Sequence, residues 1–348
     1  MFPSPLLTLR STCGLTSVSH HGSHLLTTSS NGELCQWDRR SGNRVSSWRP
    51  TEELVCALPL QSHGASSYTS VALQHKNGIC IFDLSRSAVS CGLDVVSSNF
   101  ARIRTLPLES DVLLCPSGMN GIACYDIRVP SAANGWFRTF RCNTVFPDSD
   151  SNYNALSPSK YTAGLYLDCN DLGSLQNFEA FPTLGPFHVV ATYECGRVSI
   201  FDLRRGDVPV LSCDACTNVE ALPSLSVWKS VLLVGDTKGE VSMFHVSDAT
   251  GIRMLHRTTL CDNGSNPCVV GCLKVRDDGA IAVAGCWDNN IRILETRTLS
   301  VKAVLSEHRD SITDVHFGAS TGEFVTSGLD GNAHVWNLFH SGYRHEYQ

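Results

Sequence analysis

No apolar run of about 18 residues, the length that crosses a bilayer as a helix, occurs in this sequence, so no membrane span is expected. The opening stretch, MFPSPLLTLRSTCGL, lacks a basic segment followed by a long apolar one, and no secretory leader is expected from it. Charge is scarce: Asp, Glu, Lys and Arg make up 17% of 348 residues, and the formal net charge is −6. That balance argues against nucleic acid or an anionic membrane as the principal partner. Signatures of chemistry are missing too. There is no G-x-S-x-G nucleophile turn, no glycine loop set between a strand and a helix to cradle phosphate, and no recognisable pair of carboxylates. No active site, cofactor or small-molecule substrate is expected.

What the sequence does contain is repetition. An aromatic or large apolar residue followed by a polar, mostly acidic one recurs as Trp37-Asp38, Phe82-Asp83, Tyr125-Asp126, Phe201-Asp202, Phe244-His245, Leu294-Glu295 and Trp336-Asn337. A turn cluster precedes each, among them Ser30-Asn31-Gly32, Lys76-Asn77-Gly78, Glu194-Cys195-Gly196 and Asp330-Gly331. Period-2 apolar runs lie between the turns, which predicts short antiparallel strands. A repeat of about 40–45 residues carrying four such strands is one blade of a ring. The fullest copy is residues 308–337, HRDSITDVHFGASTGEFVTSGLDGNAHVWN.

The sixteen cysteines are scattered, and Cys35 and Cys80 sit at equivalent places two residues before the strand-ending aromatic. They read as small buried hydrophobes. Free thiols and a cytoplasmic or nuclear location, or both, are therefore expected.

On these residues the chain resembles the WD-repeat family of β-propellers. The fold that follows is all-β: one domain over residues 1–348, a seven-bladed ring of four-stranded antiparallel blades. The resemblance implies a structural tetrad in the last blade made by His308, Ser327, Asp330 and Trp336. The strand-like run Pro5–Arg10 is expected to pair as the outer strand of the last blade and close the ring. The long interval between Tyr125 and Phe201 is expected to hold an inserted loop at about 131–160 in the fourth blade, rich in Ser, Asn and Pro. Residues 170–186 are expected to form a further extended loop.

Several groups invite a functional reading. Trp136, Phe137 and Phe140 are apolar aromatics in the inserted loop, placed either to tuck back or to anchor a partner. Arg39, Arg128 and Arg204 follow the aromatic–acid pair. There they resemble the W-D-x-R pattern with which substrate receptors of cullin-based ubiquitin ligases face their adaptor. Cys213 and Cys216 have C-x₂-C spacing, but no second pair at knuckle spacing accompanies them, and no metal is expected. His20, His21 and His24 read as a polar turn between strands.

Residues 266–337, with the run Gly285-Cys286-Trp287-Asp288 and Ile291-Arg292-Ile293, resemble the G-protein β-subunit-like "beta-like protein 1" family, the ASTRA-associated protein of fungi. That resemblance implies a non-enzymatic interaction scaffold, an adaptor in co-chaperone-assisted assembly of phosphatidylinositol 3-kinase-related kinases or of chromatin-associated complexes. The alternative is a cullin-ligase substrate receptor. Either way the expected partners are proteins.

Overall fold

The computed structural model describes residues 4–51, 53–60, 69–94, 100–107, 109–127, 172–204, 208–215, 220–260, 268–318 and 322–337. All of its regular elements are strands. Strand β1 spans Leu7–Arg10. Blade one follows as β2 (Leu15–His21), β3 (His24–Ser29), β4 (Leu34–Asp38) and β5 (Arg44–Trp48). Blade two is β6 (Leu54–Leu60), β7 (Ser70–His75), β8 (Gly78–Asp83) and β9 (Ala88–Asp94). Blade three supplies β10 (Arg104–Leu106), β11 (Glu109–Ser117) and β12 (Gly121–Asp126). Blade four is β13 (Leu175–Ala180), β14 (His188–Tyr193), β15 (Arg197–Asp202) and β16 (Leu211–Asp214). Blade five is β17 (Ser224–Trp228), β18 (Val231–Gly235), β19 (Glu240–Ser247) and β20 (Gly251–Thr259). Blade six is β21 (Val270–Val275), β22 (Ile281–Cys286), β23 (Ile291–Glu295) and β24 (Val301–Leu305). The last three strands are β25 (Ile312–Phe317), β26 (Glu323–Gly328) and β27 (Asn332–Asn337).

Six sheets have four strands among the described residues, and blade three has three. The sheet of blade seven runs β1-β27-β26-β25. Its outer strand is the predicted N-terminal one, in antiparallel register from Leu7 opposite Val335 to Arg10 opposite Asn332. The inserted loop at about 131–160, with Trp136, Phe137 and Phe140, lies outside the described residues, as does Arg128.

One expectation is corrected. Residues 175–180 are not loop but the inner strand β13. A bulge between Leu175 and Asn177 breaks its alternation, so buried Leu175 and Phe178 stand three apart instead of two. The same bulge opens β2, β6, β21 and β25, where it lies between Ile312 and Asp314.

The core is divided among the seams. Each of seven apolar clusters joins two neighbouring blades. The repeated aromatic explains how. Trp37 packs with Val325, Ala333 and Val335 of blade seven. Phe82 packs with Leu26 and Leu34 of blade one, and Trp336 with Val283 and Ile293 of blade six. Every strand-ending side chain thus buries against the blade before it. Cys35 and Cys80 share those clusters, as small hydrophobes should. The acid beside the aromatic has a separate task. Asp38 Oδ1 accepts the Ser41 N–H at 2.7 Å, and Asp83 Oδ1 accepts the Ser85 N–H at 2.9 Å, capping the turn to the outer strand. In the turn ahead of the third strand of blades one, four, five and seven, Gly32, Gly196, Gly239 and Gly331 hold φ values of 81°, 83°, 84° and 79°, a region that favours glycine.

Leu9 of β1 is buried against Leu15, Trp37 and Val335, so it belongs to the seam of blades seven and one. Removing residues 1–10 should lower the melting temperature of the whole domain in one cooperative transition. Leu9→Ala alone should cost about 2–5 kcal/mol. Equal melting of the truncated and full-length chains in a thermal denaturation would show that β1 does not close the ring.

Candidate functional site

The polar centre of blade seven is built at the turn between β26 and β27. His308 is buried, with Nε2 2.8 Å from Thr326 Oγ1 and Nδ1 3.1 Å from Asp330 Oδ2. Trp336 Nε1–H donates to the same Thr326 oxygen at 3.0 Å. Asp330 also accepts the N–H groups of Arg309 and Asn332 at 2.9 and 3.0 Å. These bonds hold its carboxyl far below the usual range, against the opposing effect of burial. The tetrad is therefore His308, Thr326, Asp330 and Trp336, which corrects the expectation of Ser327. Strand geometry gives the reason. Phe324 pairs with Trp336, Thr326 with His334 and Ser327 with Ala333. Thr326 thus shares the face of Trp336, whereas Ser327 faces away and meets Thr313 Oγ1 at 2.8 Å. Blade one repeats the bond: Trp37 Nε1–H donates to Thr27 Oγ1 at 2.9 Å. The hydroxyl stands ten residues before the Trp in both blades, a spacing readable in the sequence. Thr326 is fully buried, so this His–Asp–hydroxyl set presents no nucleophile to a substrate.

Two of the arginines that follow the aromatic–acid pairs, Arg39 and Arg204, are ion-paired within the ring. Arg39 Nε lies 2.8 Å from Glu323 Oε1 of blade seven. Arg204 forks onto Asp202, Nε and Nη2 each at 2.9 Å, and its guanidinium stacks 5.3 Å from the Phe187 ring centre. Both guanidinium groups are thus ion-paired, Arg204 with its side chain still half exposed.

Ionisable side chains do converge on the ring axis, which the sequence does not announce. Arg102 of blade three reaches Asp314 of blade seven at 2.8 Å and the carbonyl of Thr16 of blade one at 2.8 Å. Lys274 of blade six meets Glu179 of blade four at 2.7 Å. These bonds cross between blades that are not sequence neighbours, and no spacing rule connects their residues.

The ring also carries an exposed apolar pair. Trp287 is 53% exposed and Leu329 is 45% exposed. Each directly precedes the turn aspartate of its blade, Asp288 or Asp330. Ser311 joins them: its hydroxyl donates to the Trp287 carbonyl at 3.4 Å, and its carbonyl accepts the Leu329 N–H at 2.9 Å. A side chain at Gly271 would lie 2.6 Å from Trp287 Nε1, so glycine there leaves room for the indole. A large apolar residue just before the turn aspartate in two consecutive repeats is the sequence signal for this patch.

Two clusters bring metal-ligand atoms within 4.8 Å of one another: His308, Asp330 and His334, and Cys268, Cys286 and Asp288. Most of their donors are engaged, His334 Nε2 excepted. Asp330 holds His308, Asp288 forks onto Arg292 at 3.0 and 2.6 Å, and Cys268 is disulfide-bonded, contrary to the expectation of free thiols throughout. Eleven other described cysteines form no disulfide. Cys216 lies outside the described residues. Burial, reinforced by Asp214, pushes the Cys213 thiol up to about 12. His20 packs against His316, ring centres 5.3 Å apart.

Thr326→Val removes the acceptor of one buried donor and the partner of another, and should cost about 2–4 kcal/mol. Ser327→Ala should cost clearly less; the reverse order in chemical denaturation would restore Ser327 to the tetrad. Acid should destabilise the ring. His20 is pushed down to about 3 by burial first, then by His316 and Arg39, and His334 to about 4 by burial and His308. Unfolded histidine takes up its proton near 6.5. Below that pH the unfolded chain therefore binds more protons than the folded one, and stability falls as pH drops from about 6.5 towards 4. Melting temperatures across that interval should decline, less steeply in His20→Gln. A flat profile for the natural sequence would contradict this.

Comparison with known proteins agrees with the architecture. The family profile "WD domain, G-beta repeat" matches residues 299–337, the outer strand of blade six and the repeat around the tetrad. Among solved structures, the β-propeller domain of Cps50 (Swd1) from Myceliophteria thermophila is similar, with a TM-score of 0.72 at 14% identity. The match covers 97% of this chain and 100% of that one. The chain carries a WD repeat and folds as a seven-bladed β-propeller.

Proposed function

We propose that this propeller is a non-enzymatic protein-interaction scaffold. The observation that carries the reading is the contrast between its polar groups and its apolar surface. His308, Asp330 and the axial Arg102, Asp314, Lys274 and Glu179 are paired within the ring, whereas Trp287 and Leu329 stand open on neighbouring turns. An exposed Trp beside an exposed Leu on a rigid frame fits the anchor of a protein interface.

The finer role is an adaptor in co-chaperone-assisted assembly of phosphatidylinositol 3-kinase-related kinases or chromatin-associated complexes, in the cytoplasm, the nucleus or both. Its support is the resemblance of the stretch around Trp287-Asp288 to the beta-like protein 1 family. A cullin-ligase receptor is disfavoured by the ion pairs that occupy Arg39 and Arg204.

The test is affinity purification of the tagged protein from its own cells, read by mass spectrometry, beside Trp287→Ala/Leu329→Ala and a chain lacking residues 131–160. Recovery of a very large helical-repeat kinase or its co-chaperones, reduced at least severalfold by the double substitution, is the expected result. Recovery of a cullin adaptor without kinase machinery, lost in Arg39→Ala, would overturn it.

A further inference from the structure

The axial network has two halves of unequal completeness. Around Arg102 the partners are in place: Asp314 at 2.8 Å, and the carbonyls of Thr16 and Thr313 at 2.8 and 2.9 Å. Asp314 Oδ2 also accepts the Val18 N–H at 3.2 Å. Around Arg104 the account does not balance. A single carboxylate, Glu179, serves two cations, with Oε1 2.7 Å from Lys274 Nζ but 3.9 Å from Arg104 Nε. Its Oε2 is taken by the Val227 N–H at 3.1 Å. The remaining contacts of Arg104 are neutral: the Ile103 carbonyl at 3.1 Å and Asn177 Oδ1 at 3.5 Å. Among the described residues of the network, the three cations Arg102, Arg104 and Lys274 thus face the two carboxylates Asp314 and Glu179.

A second observation comes from the strand that carries Asp314, two residues further on. His316 of β25 has a buried Nδ1 with no hydrogen-bond partner. Burial keeps its ring neutral, Lys274 and Arg104 add to that effect, and Asp314 and the Phe317 backbone oppose it. The neighbouring thiols Cys56 and Cys272 are held protonated by burial and bring no charge.

A narrow channel with low-dielectric walls concentrates the field of an unbalanced charge. A partly buried guanidinium with loose partners is costly, and an anion would offset that cost. The planar fork of Arg and a ring N–H are directional donors and Lys adds a point charge, a set that matches the oxygens of a tetrahedral anion.

We propose that Arg104, Lys274 and His316 form an axial binding site for a small free oxyanion of the phosphate or sulfate class. Glu179 sets its affinity by competing for the same two cations, and Arg102 with Asp314, each two residues before Arg104 and His316, is the filled pair beside it.

The experiment is thermal unfolding of the full chain in inorganic phosphate against sodium chloride at matched ionic strength and pH, with phosphate linewidths in ³¹P NMR as a second readout. The melting temperature should rise with the logarithm of phosphate concentration above saturation. Arg104→Gln should abolish the rise and Lys274→Gln should at least halve it. Arg40→Gln removes the same charge from an exposed turn and should keep the rise in full. If Arg104→Gln does not fold, Lys274→Gln and the line broadening by the natural sequence decide. Equal melting in phosphate and chloride, no line broadening, or an equal loss in Arg40→Gln would overturn the site.

Discussion

The pairing of β1 with β27 is the interaction on which the rest depends. Every blade gives its strand-ending side chain to the blade before it, so every blade but the first finds its cover in sequence order. Blade one finds it only in blade seven. Trp37 needs Val325, Ala333 and Val335, and Leu9 completes that seam from the strand that closes it. Without closure one seam opens, and two apolar blade faces meet water at once. The ion pair from Arg39 to Glu323 and the bond from Val18 to Asp314 reinforce the same junction.

The axis reinforces the ring differently. Seam packing acts between neighbours and lets a ring breathe as a chain of hinges. Arg102 acts across the ring, with one guanidinium holding blades three, seven and one together. Such a brace favours a frame whose loops keep fixed positions, as a scaffold requires.

Much of this architecture is legible in the sequence, and for a physical reason. Strand-ending aromatics and turn acids answer local demands, burying a seam and capping a turn, so they recur at fixed spacing. The closing strand is legible because LTLR alternates before blade one has begun. The hydroxyl of the tetrad is legible only when strand parity is respected: Thr326 shares a face with Trp336, and adjacent Ser327 does not. β13 escapes because its bulge disguises the alternation of Leu175 and Phe178. The axial pairs escape altogether, since Arg102 and Asp314 are far apart in the chain and nothing local requires either.

The closing strand has one more consequence, for the order in which the protein can be made. Thr8 meets His334 at a sequence separation of 326 residues. During synthesis the β1 segment leaves the ribosome more than 300 residues before its partner. Throughout that interval blade one has an uncovered face and β1 an unsatisfied edge, the surfaces that drive misassembly of growing chains. Contacts of such long separation are slow to form even in the complete chain. Ring closure is thus a late event, and the nascent chain is itself a client for whatever shields apolar edges until the last blade arrives.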